Sequence, residues 1–210
     1  MFDNCRGMAD IATYFETTLA KEDVACSSLS ATAPGDRRRR EATITSSYLE
    51  VVSNSPAQTR KIGRALGRLL RPGDVVLLEG PFGAGKTVLV QGIASGLRAE
   101  GLVSSPSFTL VNEYRAGPAL GNVPIYHADL YRIHSEQEAL DLGLEEYLSG
   151  RGIFLAEWPE RARGVWPEEN LWIRLEIAGE KERKLKIQAI GQRYVEMLRK
   201  LSDRLGIKAE

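Results

Sequence analysis

The pattern of apolar and polar positions becomes regular at Tyr48 and stays so to the end of the chain. Tyr48-Leu49-Glu50-Val51-Val52 predicts a short strand. Ser55-Pro56-Ala57-Gln58 has the form of a helix start, with a serine N-cap, proline in the first turn and glutamine at the capping-box position. Ile62, Ala65, Leu66 and Leu69 follow at helical spacing, and Arg71-Pro72-Gly73 stops the helix. Asp74-Val75-Val76-Leu77-Leu78-Glu79 is apolar on both faces, as a central parallel strand should be. A glycine-rich loop and a helix from Lys86 to Arg98 come next. Phe108 to Tyr114 and Val123 to His127 predict two strands around a polar turn containing Gly117-Pro118 and Gly121-Asn122. Ser135-Glu136-Gln137-Glu138 is a second capping box opening a helix through Leu140, with further helical turns near Leu144 to Leu148. Ile153-Phe154-Leu155-Ala156 predicts a second buried strand. Leu171 to Ile177 and Lys184 to Ala189 alternate in and out around a charged turn and predict an antiparallel hairpin. Tyr194, Val195, Leu198, Leu201 and Leu205 mark a final amphipathic helix. Strands and helices alternate in the middle and a hairpin closes the end, so the class is α/β with a mixed sheet.

Residues 1–45 break this pattern. They are rich in Ser, Thr, Ala and Asp, carry the run Arg37-Arg38-Arg39-Arg40, and lack sustained periodicity. They predict a poorly ordered extension, with Met8 as an alternative start and a short helix somewhere in 8–21. The arginine run reads as solvated charge rather than an RNA contact. The rest divides into a domain at 46–190 and a terminal helix at 191–210. Lys plus Arg and Asp plus Glu both number 28, which leaves no global charge for gripping a polyanion. Any contact with nucleic acid must come from a local basic patch or through a partner. Cys5 and Cys26 form no Cys-x-x-Cys pair and read as ordinary thiols of a reducing compartment. The apolar runs are too short to span a membrane and the start has no secretory pattern, so the expected location is the cytoplasm.

The chemistry begins at Gly80-Pro81-Phe82-Gly83-Ala84-Gly85-Lys86-Thr87, which matches GxxxxGK[ST] at every fixed position. A buried strand precedes it and a helix follows, as a phosphate-binding P-loop requires. Glycines let backbone N–H groups turn inward around phosphate oxygens, and the helix N-terminus adds unsatisfied donors and its positive dipole end. Lys86 is expected between the β- and γ-phosphates and the Thr87 hydroxyl on magnesium. The motif refines the class to a P-loop NTPase-like three-layer fold, with a mixed, mostly parallel central sheet and a C-terminal antiparallel hairpin. Its expected ligands are ATP and Mg2+.

A P-loop needs a second carboxylate at the end of a neighbouring strand. Glu157 follows Ile153-Phe154-Leu155-Ala156, and Asp129 follows the run from Val123 to Ala128. Glu157 is expected to hold the metal directly or through water, and Asp129 to orient the attacking water or the magnesium shell. Either acid alone also reads as a helix cap or surface charge. His127 and His134 are the only histidines, and their spacing reads as ordinary hydrogen bonding rather than a metal pair. Trp158 reads equally as packing or as shaping a partner surface.

With these residues on the page, the chain resembles the TsaE family, bacterial ATPases needed for the threonylcarbamoyladenosine modification of tRNA. The resemblance rests on Gly83-Ala84-Gly85-Lys86-Thr87, Ser105-Pro106-Ser107-Phe108-Thr109-Leu110-Val111, His127-Ala128-Asp129-Leu130-Tyr131-Arg132 and Glu157-Trp158-Pro159. They stand in the family's order and cover roughly 46–190. The resemblance implies weak ATP hydrolysis inside a complex with TsaB and TsaD, supporting that pair's turnover, with tRNA met indirectly through the complex. It implies Lys86, Asp129 and Glu157 as catalytic, and Thr87 with Glu157 at the metal. Gly80, Phe82, Gly83, Ala84, Gly85, Lys86, Thr87 and Val88 are the expected nucleotide contacts. It places a nucleotide-responsive loop at 104–110, and Ser55 to Thr59 with Arg183 towards the base. The sequence departs from the family in three places. Val88 stands where a second Thr is frequent, Pro81-Phe82 replaces a common Asp-Leu pair, and residues 1–45 have no counterpart. A small-molecule kinase built on the same P-loop is the alternative, although no arginine-rich lid follows the loop. A GTPase is disfavoured because no Asn-Lys-x-Asp element is present. Arg132, or an arginine from a partner, is a candidate finger for the γ-phosphate.

Overall fold

The computed structural model describes residues 46–101, 103–106 and 109–207. The expected extension at 1–45, with Arg37 to Arg40 and both cysteines, lies outside them, as do Ser107 and Phe108 of the 104–110 loop. In chain order the described elements are β1 Ser46–Ser53, α1 Pro56–Gly67, β2 Val75–Glu79, α2 Lys86–Gly96, β3 Val111–Arg115 and β4 Pro124–Asp129. Then come α3 Glu136–Asp141, α4 Leu144–Tyr147, β5 Ile153–Glu157, β6 Asn170–Ile177, β7 Arg183–Ile190 and α5 Gln192–Leu205.

The strands form one sheet in the order β1-β7-β6-β2-β5-β4-β3. Its centre, β6-β2-β5-β4, is parallel throughout. Antiparallel pairings finish both edges: β3 on β4 at one side, and the β6–β7 hairpin with β1 at the other. The apolar run of β2 explains the layering. Val76 and Leu78 enter a core with Leu66, Leu89, Ile93 and Leu198, while Val75 and Leu77 enter a second with Leu130, Leu144 and Phe154. Successive side chains of a strand point to opposite faces, so a strand apolar at every position needs cover on both sides. Helices α1, α2 and α5 cover one face. The other is covered by α3, α4 and the 3-10 segment Pro159–Val165, giving the three layers expected.

Two further contacts fix the site's surroundings. Helices α1 and α2 meet backbone to backbone: a Cβ at Gly63 would stand 2.5 Å from the Leu89 carbonyl oxygen, and one at Gly67 would collide with that of Ile93. Helix α5 grips the entrance of β2. The Val75 N–H donates to the Tyr194 hydroxyl at 2.7 Å, and Arg193 donates to Asp74 Oδ2 at 2.6 Å and to the Leu69 carbonyl at 2.8 Å.

Two expectations need correction. The strand expected from Phe108 begins at Val111, because Thr109 and Leu110 both donate backbone N–H to the Pro106 carbonyl in a turn, and Leu110 has φ 64°. The capping boxes are offset. Ser55 and Ser135 accept from the N–H of Gln58 and Glu138 as expected, but those side chains reach back to Asn54 and His134, one residue before the cap. Among the described residues no helix is long and apolar enough to cross a membrane.

Candidate functional site

The exit of β2 leads straight into the loop Gly80–Gly85, and α2 starts at Lys86. Gly83 and Gly85 have φ of 75° and 96° with open space where a Cβ would stand, so conformation rather than room demands glycine there. The parallel register sets the two acids beside this loop. Leu78 of β2 lies opposite Glu157, and Glu157 lies opposite Asp129, so both carboxylates sit at the carboxyl ends of neighbouring strands. Open α/β sheets bind their ligands at that edge.

Hydrogen bonds lock this arrangement. Thr87 Oγ1 donates to Glu157 Oε1 at 2.9 Å. His127 Nε2 lies 3.0 Å from the same oxygen, and because an ionised carboxylate only accepts, Nε2 carries the hydrogen. His127 is fully buried and its Nδ1 has no partner among the described residues. Asp129 Oδ2 accepts from Ser105 Oγ at 2.6 Å and Oδ1 from the Tyr131 N–H at 3.1 Å. The main chain fixes both strand ends, with Asp129 N–H donating to the Leu110 carbonyl and Leu130 N–H to that of Glu157.

Lys86 is buried, and its Nζ donates to the Gly80 carbonyl at 2.6 Å and the Pro81 carbonyl at 2.9 Å. The Trp158 ring covers it, with Nζ 3.8 Å from the ring centroid. Burial pushes the lysine's pKa down, opposed by the nearby carboxylates of Glu157, Glu160 and Asp129. Burial likewise raises the carboxyl of Glu160. Trp158 takes the left-handed conformation, φ 61° and ψ 46°, at a cost of about 1–2 kcal/mol for a non-glycine residue. Its N–H bond to the Leu78 carbonyl at 3.1 Å, its stacking on Lys86 and the Tyr131 ring 5.1 Å away hold it there.

These groups enclose a cavity of about 450 Å³, within the range of small-ligand sites. Of the residues expected at the site, Phe82, Gly83, Gly85, Lys86, Thr87, Val88, Asp129 and Glu157 line it. Gly80 and Ala84 are buried behind the loop rather than in the cavity wall. Arg183 also stands outside the wall, although its Nη2 donates to the Gly83 carbonyl at 3.2 Å, while Nη1 holds the carbonyls of the β6–β7 turn. Ser55 and Thr59 are not in the wall either; they bond to each other's neighbourhood around the start of α1. Ser105, Tyr131, Arg132 and Trp158 complete the lining. His127 makes a hydrogen bond, as expected of it, but its partner Glu157 was not specified by the sequence. The available signal was its position two before Asp129, which puts both on one face of β4.

The donor set suits a hard cation. Thr87 and Glu157 offer oxygens in contact with each other, and Asp129 is next in register. No three His, Cys, Asp or Glu converge as a cage among the described residues. Magnesium needs none, because it is held through one or two carboxylates together with substrate phosphates and water.

Fold and loop together define a P-loop NTPase-like α/β protein. The sequence model of the family described as threonylcarbamoyl adenosine biosynthesis protein TsaE matches residues 53–185. The tRNA threonylcarbamoyladenosine biosynthesis protein TsaE of Bacillus subtilis is 40% identical over 148 residues, 70% of this chain and 90% of its own. That of Treponema pallidum is 36% identical over 139 residues, 66% of this chain and 99% of its own. The crystal structure of Bacillus subtilis YdiB superposes with a TM-score of 0.65 at 35% identity, covering 76% of this chain and 97% of YdiB. The chain belongs to the TsaE family, and its place is in the biosynthesis of threonylcarbamoyladenosine in tRNA.

Proposed function

We propose that the chain is a magnesium-dependent ATPase subunit that supports turnover of a TsaB–TsaD complex. One observation carries the reading. Glu157 and Asp129 stand in register at the ends of adjacent parallel strands, and Glu157 is hydrogen-bonded to the P-loop hydroxyl of Thr87. Carboxylates placed there serve a triphosphate and its cation; a structural ion pair would need no P-loop beside it.

In this reading Thr87 and Glu157 hold the magnesium ion, which supplies charge neutralisation at the phosphates when bound. The backbone N–H groups of Gly83, Gly85, Lys86 and Thr87 donate to phosphate oxygens, while that of Ala84 is held by the Pro81 carbonyl. Lys86 exchanges two neutral carbonyl acceptors for a charged oxygen, a stronger hydrogen-bond partner. His127 keeps the Glu157 carboxylate in its present orientation. Asp129 positions the attacking water, and Ser105 ties the preceding loop to that acid. Turnover by the isolated chain is expected to be slow, with a partner completing the geometry. Arg132, exposed at the cavity rim, is the chain's own candidate to meet charge developing on the γ-phosphate.

The test is ATP hydrolysis by the purified chain with Mg2+, alone and with TsaB and TsaD from the same source. Slow turnover that rises with the partners is the expected result. ADP release that depends on a small-molecule acceptor and ignores the partners would make it a kinase.

A further inference from the structure

The chain carries no net charge, yet one helix face is strongly one-signed. From Ser55 to Gly73 there is no aspartate or glutamate, and α1 presents Arg60, Lys61, Arg64 and Arg68, all exposed. None of the four forms an ion pair with a described residue. Arg60, Arg64 and Arg68 recur every four residues, so they stand in one row at steps of about 6 Å. Helix α2, in backbone contact with α1, adds no acid from Lys86 to Ala99 and contributes exposed Arg98 beyond its C-terminal end. Surface charges of a neutral protein are ordinarily interspersed in sign, as the ladder Lys184–Glu50 and Lys186–Glu176 is on the sheet's other side.

Two classes of partner present acid to such a face, a protein and a nucleic acid. Protein interfaces centre on buried aromatic or aliphatic anchors. Neither α1 nor α2 exposes a large hydrophobic residue; those exposed among the described residues lie at Tyr48, Val52, Phe82, Tyr131, Leu140 and Ile177. A row of unpaired cations without an apolar centre fits a phosphate backbone, where neutralisation and counterion release supply the affinity.

We infer that the α1 face binds the phosphate backbone of RNA, tRNA in particular, so that this chain touches the nucleic acid its pathway modifies. The inference uses the family's pathway and does not depend on the proposed ATP hydrolysis. The contact is sequence-independent, since arginines and lysines on a helix surface meet phosphates rather than base edges.

The test is equilibrium binding of a labelled, unmodified tRNA transcript to the full chain between 50 and 200 mM KCl, concentrations chosen on the order of those where phosphate contacts respond most steeply. With four phosphate contacts, log K should fall against log salt with a slope of about −3 to −4. Arg60→Glu/Arg64→Glu/Arg68→Glu should weaken binding at least ~10-fold and lower the slope by about three. The same variant should keep the parent's melting temperature and its rate of ATP hydrolysis, because these side chains are exposed and outside the cavity. Lys86→Ala should show the converse, losing ATP and keeping RNA, so failure of the ATPase reading and failure of this one are separable. A parent without salt-dependent RNA binding overturns the inference. So does a triple variant that binds RNA like the parent, including one that has lost TsaB–TsaD, which would make the face a protein contact.

Discussion

The two ends of β2 each carry a buried polar cluster, and they differ in what their groups still have to offer. At the entrance, Asp74 accepts from the Arg71 N–H and from Arg193, Arg193 also reaches the Leu69 carbonyl, and Tyr194 takes the Val75 N–H. Charge meets opposite charge there. At the exit, Lys86 is held by neutral carbonyls and a ring face, and two carboxylates line a cavity with it. Burial alone does not separate the two clusters: Asp74, Lys86 and Glu157 are all under 5% exposed. The distinction is that the entrance charges are paired with each other directly, whereas the exit lysine is hydrogen-bonded only to neutral carbonyls and shares a cavity wall with the two acids. In the function proposed above, the first cluster is architecture and the second is the site.

This contrast is open to substitution. Glu157→Gln keeps the volume and removes the charge; hydrolysis should fall by about 100-fold or more while ATP still binds. Unchanged turnover would transfer the metal role to Asp129. Lys86→Ala should weaken Mg-ATP by about 100-fold, the scale of about two lost charge-assisted hydrogen bonds. Calorimetric titration gives the answer, and affinity equal to the parent's would end the P-loop assignment.

Arg193→Met should do the reverse, sparing ATP affinity and destabilising the fold by about 3 kcal/mol in urea unfolding, because Asp74 is left buried without its cation. Burial already raises the Asp74 carboxyl, opposed by its hydrogen bond from Arg71 and by Arg193. A folded-state pKa above the unfolded value means the native state gains protons as pH falls, so this group's penalty applies above the folded pKa and fades below it. Without Arg193 the carboxyl rises further, so the loss from Arg193→Met should be smaller at pH ~5 than at pH ~8. A pH-independent loss would mean that lost packing, rather than the stranded charge, is responsible.

The smallest expected effect is at His127. His127→Gln should cut turnover about 10-fold, the lower range for a residue that orients a metal ligand. The Mg2+ concentration for half-maximal hydrolysis should rise with it, while ATP affinity stays put. If only the melting temperature moves, His127 fills space and does not position Glu157.

How much of this was legible in the sequence depends on how far along the chain each contact reaches. Gly80 to Thr87 could be assigned directly because the phosphate-binding groups are consecutive backbone atoms and the flanking strand and helix show their own patterns. The apolar runs of β2 and β5 announced two-sided burial, and the hairpin of β6 and β7 announced itself by alternation. The contact of His127 with Glu157 was not legible, since it exists only through the parallel pairing of β4 and β5, and neither residue's neighbours specify that register. The same holds for Arg193 and Tyr194, whose partners lie 119 residues away. Trp158 and Leu110 adopt backbone conformations against their intrinsic preference, imposed by the tertiary contacts of the strand ends beside them. Local signals could not reveal either.

The glycines between α1 and α2 bear on how this protein tolerates change. Because no side chain separates the helices at Gly63 and Gly67, even a methyl group there must push the helix carrying the P-loop lysine away from its neighbour. A saturation scan of function would therefore score these positions as harshly as Gly83 and Gly85, although they touch no ligand. In such a map, intolerance would trace two different demands, one for a left-handed backbone in the loop and one for two helices with nothing between them. The second should not be rescued by a side-chain change in the facing helix, because the atoms met there are backbone and the facing Gly92 and Gly96 have no side chain left to trim.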